Sequence, residues 1–256
     1  MFRSNPRAGH TGGIITITAM MNHEHRRLPS LALLRLQSWL SPAFPVGFYS
    51  YSHGLEWAVE AREVYDRQSL VDWLESDLRH GSGRNEAIFF KEAWLYATKN
   101  DQEGLVEISE LAAAFRGTSE FALESSQPAA ACLAIFKKVW PDRTLDLLAE
   151  ILRERQISPA VAIVLGIRLA GEGAPFSVAL PAFLQSYIAN LVTAGVRLIP
   201  LGQTDGQLAV AELEHVIEAA SALAAASTID DLGSASFMVD LASMAHETQY
   251  TRLFRS

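Results

Sequence analysis

An all-α fold, a single compact multi-helix domain with mostly short connections, is predicted by three observations. No segment alternates apolar and polar residues over the length of a strand. Valine and isoleucine are scattered among leucine and alanine, and apolar residues recur at helical spacing along most of the 256 residues. No repeat of fixed period is present, which sets a solenoid aside. With 49% hydrophobic and 20% charged residues, the chain has apolar material for a substantial core and reads as a soluble globular protein. A formal charge of -8 opposes general affinity for nucleic acid, which requires a basic footprint to displace counterions. Cys132 is the only cysteine, so no intrachain disulfide and no cysteine-built zinc site is available. That fits a reducing, cytoplasmic setting, with the thiol expected as a small buried hydrophobe.

Residues 1–27 are polar and glycine-containing, and the run Ile14-Ile15-Thr16-Ile17 is too short for a signal-peptide core, so a disordered N-terminal arm is expected. Met20 and Met21 stand just before the first patterned segment and point to a translation start there. His23 and His25 read as solvated. From Leu31 to Leu40 the leucines 33, 34, 36 and 40 fall at helical spacing, and Ser41-Pro42 ends the helix. The aromatic loop Pro42 to Gly54 follows. Its Phe44 and Phe48 are expected in the core, whereas Tyr49, Tyr51 and His53 fit either core or binding surface. Leu55 to Glu60 resumes helical composition.

Asp66 to His80 opens on an Asp cap and aligns Leu70, Leu74 and Leu78 on one face. Gly81-Ser82-Gly83 is expected as a linker, since no Lys-Ser or Lys-Thr follows to make a P-loop. Helices are predicted over Asn85 to Thr98, Asp101 to Phe115, Glu120 to Val139 and Leu145 to Arg153, with Trp140-Pro141 turning a corner. Ser158 to Ala170 is expected to start on a serine cap and a first-turn proline.

Residues 174 to 196 carry no charge, a length that suffices to cross a membrane. Pro175, Pro181, Gln185, Tyr187 and Asn190 make the segment too polar for that. Its apolar face opposite Ser186, Asn190, Thr193 and Arg197 predicts a central buried helix with a polar strip for a second subunit. Ile199 to Gln207 reads as a turn-rich loop, Leu208 to Ala226 as an alanine-rich helix, and Ser227 to Gly233 as a polar linker. Phe237 to Ala245 is the last helix of a domain spanning 28–245.

Residues 246–256 form a tail rich in Tyr250, Arg252, Leu253, Phe254 and Arg255, the residue types that carry interface energy. A tail docked on a partner and a last turn packed on its own core both account for that composition. His246-Glu247 opens like the H-E-x-x-H zinc pattern, but Tyr250 stands where the second histidine belongs. The chain also lacks a nucleophile elbow, a Rossmann fingerprint and a close His/Cys/Asp ligand cluster, so no catalytic, cofactor or metal residues are assigned. His80 and His215 are scattered, and Glu212, Glu214 and Glu218 read as a solvated helix face.

Three blocks carry a resemblance. They run from Ser41-Pro42-Ala43-Phe44-Pro45-Val46-Gly47 through Tyr51-Ser52-His53-Gly54-Leu55-Glu56-Trp57-Ala58-Val59-Glu60, then Val196 to Gln207, then His246 to Ser256. In this order they resemble the signature blocks of the urease accessory protein UreF family, over about Leu31 to Ser256. A glycine is expected near Gln127-Pro128-Ala129, and Arg3 to Arg27 has no family counterpart. The resemblance implies a cytoplasmic all-α homodimer, a chaperone and adaptor for nickel insertion and not an enzyme. Such a protein binds the accessory protein UreD (UreH), and the pair recruits the GTPase UreG to apo-urease. It further implies that the tail orders on the UreD-type partner, with Tyr250 and Arg252 as anchors and His246 and Arg255 in support. Glu56, Arg197 and Asp231 are the positions it assigns to the face that meets the GTPase. The bland alternative for Glu56 and Arg197 is a surface ion pair. The rival class is a metal- or carboxylate-dependent hydrolase using His53, Glu56 and His246, and a third is a membrane-surface binder using residues 174 to 196.

Overall fold

Two helices, Ser82–Lys99 and Val161–Gly171, bury residues around most of their circumference and form the centre of the molecule. They approach closely because Gly166 presents no side chain to the crossing. A Cβ there would stand 2.7 Å from the Phe90 carbonyl oxygen and 3.2 Å from Ala93 Cβ. The computed structural model describes residues 28–256. Among these, eleven α-helices follow one another. They are α1 Ser30–Trp39, α2 Leu55–Glu60, α3 Arg67–His80, α4 Ser82–Lys99, α5 Gln102–Ala114 and α6 Ser119–Val139. Then come α7 Arg143–Glu154, α8 Val161–Gly171, α9 Phe176–Leu198, α10 Gln203–Ala226 and α11 Phe237–His246. Short 3-10 turns occupy Phe48–Ser50 and Ile229–Asp231, and no strand is present among the described residues. The all-α expectation holds. The expected arm over 1–27 and the Met20/Met21 start lie outside the described residues.

Around the α4/α8 pair, α10 packs on α9 and α3, α5 on α4 and α7, and α6 on α8; α11 lies across α2 and touches α6. Aromatic rings lock the layers, with Trp39 edge-on to Phe136 at 4.9 Å and Phe90 stacked on Phe183 at 4.9 Å. The buried Arg168 is neutralised by Asp142 at 3.0 Å and Glu172 at 2.7 Å and lies over the Trp39 ring. Cys132 is fully buried, and burial pushes its thiol up to about 12, so it stays protonated and inert.

Local sequence explains most boundaries. Asp66 caps α3 in a reciprocal box with Ser69, and Asp101 caps α5 through Gly104 N at 2.9 Å. Three boundaries differ from the sequence reading. Gly81 alone separates α3 from α4, because the Asp77 carboxylate accepts from Ser82 Oγ and Gly83 N and lets the next helix start at once. Helix α10 begins at Gln203, since Asp205 folds back to accept from Gly202 N at 3.0 Å and converts the expected loop into a first turn. Helix α8 starts at Val161, so Ser158-Pro159 belong to the approach and no side chain caps it.

Helix α9 is long and apolar enough to cross a membrane by length and composition. Its predicted apolar face is instead packed inside the domain, with Leu180, Phe183, Leu184, Ile188, Leu191 and Val192 buried. Ser186 on the polar strip donates to the Leu40 carbonyl at 2.8 Å, and Thr193 and Arg197 are exposed. Pro128 is buried inside α6, where its missing N–H leaves the Glu124 carbonyl without the usual helical donor.

Candidate functional site

The aromatic loop makes two left-handed excursions, at Gly47 (φ 84°) and at the pair His53 (φ 58°) and Gly54 (φ 76°). Gly54 has a second reason to lack a side chain. A Cβ would stand 2.7 Å from Ser243 N, so glycine lets the start of α2 abut α11. That contact brings Glu56, in the first turn of α2, under the C-terminal residues.

The tail folds back as a strap. Glu56 Oε1 accepts from Leu253 N at 2.6 Å, and its Oε2 accepts from Phe254 N at 2.9 Å. His246, wholly buried at the end of α11, places Nε2 3.1 Å from Glu56 Oε2 and Nδ1 2.6 Å from Glu120 Oε2. Glu120 extends the chain by accepting from Arg252 Nη1 at 3.1 Å. Burial raises its carboxyl above the ordinary value, and His246 and Arg252 pull in the other direction. Arg252 also donates to the carbonyls of Glu247 and Gln249, which makes its fork the organiser of the turn after α11. Further along, Arg255 N donates to the Ser50 carbonyl at 2.8 Å, and Ser52 donates through N at 2.5 Å and Oγ at 2.6 Å to the Ser256 carbonyl. Phe254 is buried, with the Arg197 guanidinium 4.4 Å above its ring. Arg197 Nη1 in turn donates to the Tyr49 carbonyl at 3.0 Å.

Most of the sequence-derived residues therefore converge on one place. Glu56, Arg197, His246, Arg252 and Arg255 all hold the strap, and Glu56 and Arg197 meet at Phe254 without forming an ion pair. Glu56 and His246 lie beneath the strap, 8% and 0% exposed; Glu56 bonds the strap's backbone and the His246 ring bonds Glu56. Arg255 reaches Gln127 Oε1 at 3.1 Å, to which Tyr51 also donates at 2.8 Å. Tyr250 is fully exposed. Asp231 stands apart, accepting from Thr228 N at 2.7 Å to cap its own 3-10 turn, a bond that lowers its carboxyl below the ordinary value. Of the loop aromatics, Phe44 and Tyr51 are buried, Phe48 packs partly against the core, and Tyr49 is exposed. Glu120 and Ser52 were not singled out by sequence; the only local signal for Glu120 is its place in the first turn of α6.

Sequence also did not single out the outer face of α11. Phe237 (70% exposed), Met238 (45%), Leu241 (53%) and Met244 (49%) form an apolar row at helical spacing, continued in the chain by Tyr250 and Leu253 (57%). The inner face of the same helix buries Val239, Ala242, Ser243 and His246 against α2 and α6.

His53 belongs to a different cluster. Its Nδ1 is 3.1 Å from Glu124 Oε2 and its Nε2 is 2.5 Å from Ser82 Oγ and 3.7 Å from Asp77 Oδ1, while its ring stacks on Phe121 at 4.2 Å. Tyr187 donates to Asp77 at 2.7 Å. Burial by itself lowers the His53 value, but Glu124 and Asp77 outweigh it and raise it to about 10. Asp77, despite burial, is held below the ordinary carboxylate value by His53 and its other donors. The hydrolase trio is thus not assembled, since His53 is engaged here and both Glu56 oxygens are occupied at the strap. Because the folded value of His53 exceeds the unfolded 6.5, its contribution to stability is complete below pH 6.5 and is lost as pH rises toward 10. Unfolding free energies from urea denaturation between pH 6.5 and 10 are expected to fall, with a slope of up to about 1.4 kcal/mol per pH unit. His53→Gln should flatten that slope; an equally steep slope in the variant would exclude His53 as its source.

A sequence model of UreF matches residues 64–214. The urease accessory protein UreF of Rhodopseudomonas palustris (strain BisB5) is 45% identical over 227 residues, covering 89% of this chain and 92% of that protein. The chain belongs to the UreF family. The UreF of Bradyrhizobium diazoefficiens is 44% identical over 225 residues, covering 88% of this chain and 92% of that protein. That of Granulibacter bethesdensis is also 44% identical over 225 residues, covering 88% and 94%. In UreF terms, the family model starts just before α3 and ends within α10, short of the strap.

Proposed function

We propose that this UreF family member is a cytoplasmic, non-enzymatic adaptor of urease maturation. It docks a UreD/UreH-type accessory protein through the outer face of α11 and the strap. It then recruits and regulates a UreG-type GTPase for nickel delivery to apo-urease, and it works as a homodimer. The observation that carries this reading is the continuous apolar row from Phe237 to Met244 leading into Tyr250 and Leu253, on a tail whose backbone is pinned by Glu56. Exposed aromatic and methionine side chains on a pre-ordered support bury large areas with little further ordering cost, which is what a docking surface requires.

Arg197 links the strap to the aromatic loop, since it touches both Phe254 and the Tyr49 carbonyl. A protein that grips the strap and a protein that reads Arg197 and Tyr49 thus act on one connected element, and binding of one shifts the affinity for the other. Asp231 is assigned to the GTPase side as a separate contact. Deleting residues 250–256, or replacing Leu241 by Glu, is expected to reduce capture of the UreD-type protein about tenfold or more in a pull-down. Arg197→Ala is expected to retain that capture and to weaken recruitment of the GTPase. Undiminished UreD-type capture by both the truncated chain and Leu241→Glu would remove α11 and the strap from the docking surface.

A further inference from the structure

Within residues 28–256 methionine occurs only as Met238 and Met244, and both stand on the exposed face of α11. Among the described residues the buried core contains none. It is built from leucine, isoleucine, valine, alanine and aromatic side chains, with Cys132. The usual place of methionine, filling irregular gaps in a core, is therefore not the one it takes here. Both side chains are about half exposed, in the apolar row with Phe237 and Leu241, while Val239, Ala242, Ser243 and His246 hold the helix from its inner face. Leucine would supply similar apolar area and helix propensity at these positions. What the thioether adds is a sulfur that can be oxidised. Cys132, the only thiol, is fully buried and stays protonated, so among the described residues the accessible sulfur is confined to this one face.

We propose that Met238 and Met244 form a reversible oxidation site that switches the docking face of α11 off, an inference that rests on the docking role proposed above. The oxidant is a peroxide. Each thioether sulfur gives two electrons and gains one oxygen; the O–O bond breaks, an S–O bond forms, and the second peroxide oxygen leaves as water. The product is a sulfoxide, a polar, chiral side chain in place of a flexible apolar one. On the free protein the new oxygen is hydrated, because the side chain that bears it is exposed. Under a docked partner it gives up that water against an apolar surface with no donor opposite, so oxidation weakens binding and leaves the fold intact. A methionine sulfoxide reductase supplied with a dithiol restores the thioether, the oxygen leaving as water while the dithiol closes to a disulfide. A partner already seated on the row shields both sulfurs, which makes the free protein the sensitive form.

The full chain is treated with millimolar hydrogen peroxide, freed of peroxide with catalase and mixed with untreated UreD-type protein. Mass spectrometry is expected to find one added oxygen on Met238 and on Met244, formed at a rate within about threefold of that in the urea-unfolded chain. Capture should weaken about tenfold, with circular dichroism and Tm unchanged, and treatment with the reductases and dithiothreitol should restore it. Whatever its starting capture, the double variant Met238→Leu/Met244→Leu should capture alike before and after peroxide. Leu241→Glu, run alongside, separates the two readings. If it loses capture while the oxidised chain does not, the oxidation switch is overturned and the docking face stands; undiminished capture by both overturns the switch together with the docking face. A peroxide-dependent loss that persists in the double variant, that the reductases do not reverse, or that comes with a loss of helical signal would also overturn the proposal.

Discussion

Glu56→Ala is expected to free the C-terminal strap while leaving the helical domain folded. The carboxylate serves three groups at once, the N–H of Leu253, the N–H of Phe254 and a ring nitrogen of His246. Removing it leaves two strap amides without an acceptor, at about 1–3 kcal/mol for each buried donor left unpaired. The strap's remaining ties include the Arg252 fork, the Ser52 bonds to Ser256, the Ser256 bond to Glu124, the Gln249 bond to Glu60, the Ser119 bonds to Glu247, the Arg255 contacts with Ser50 and Gln127, and the Phe254 contact with Arg197. The segment avoids the cost by lifting into water, so the loss appears as local opening. Hydrogen exchange at Leu253 and Phe254 should quicken about a hundredfold, equivalent to a local loss of about 3 kcal/mol. Exchange at the centre of α4 should not change. Glu56→Gln, which keeps one carbonyl oxygen, should fall between. Unaltered protection at Leu253 and Phe254 in Glu56→Ala would show that the carboxylate does not hold the tail. If the strap is the docking support proposed above, the same variant also loses UreD-type capture to the extent that truncation does.

Gly166→Val is expected to damage the whole fold. The added side chain meets a backbone carbonyl, Phe90 O, at a distance no real Cβ tolerates, and Ala93 Cβ closes the other side. Neither neighbour is the flexible end of a side chain, so α4 and α8 have to separate, and they form the most extensive contact in the molecule. Overpacking of this kind costs about 3 kcal/mol, which for a domain of this size lowers Tm by roughly 6–12 °C. Gly166→Ala should lose less, because helix propensity returns about 1 kcal/mol. Gly171→Ala, at the end of the same helix and with only ordinary contacts at 3.4 Å and 3.7 Å, is the control and should melt at or above the parent temperature. A Gly166→Val protein that melts with the parent would mean that the two helices are not packed as described.

The helices were legible because their signals are local. Asp66 and Asp101 announce α3 and α5, the leucines of α3 repeat on one face, and residues 174 to 196 show their apolar side by spacing alone. Boundaries were misread where a side chain bonded in an unexpected direction, as Asp77 does at Ser82 and Gly83 and Asp205 at Gly202. The three family blocks were likewise readable in the chain, and they named Glu56, Arg197, His246, Arg252 and Arg255 before any geometry was known.

Residue types and their spacing were thus enough for the helical class, the core faces and the family, since each depends on patterns a few residues long or on contiguous blocks. They did not reveal that Glu56 faces inward to the strap's backbone, that Arg197 covers Phe254, that Glu120 completes the chain to Arg252, or that the outer row of α11 is left uncovered. Each of those facts joins positions far apart in the chain, and a carboxylate or an apolar side chain carries no local mark of which distant group will meet it. Packing of α11 across α2 settles all four, because it determines at once which face of the last helix is buried and where the tail can return.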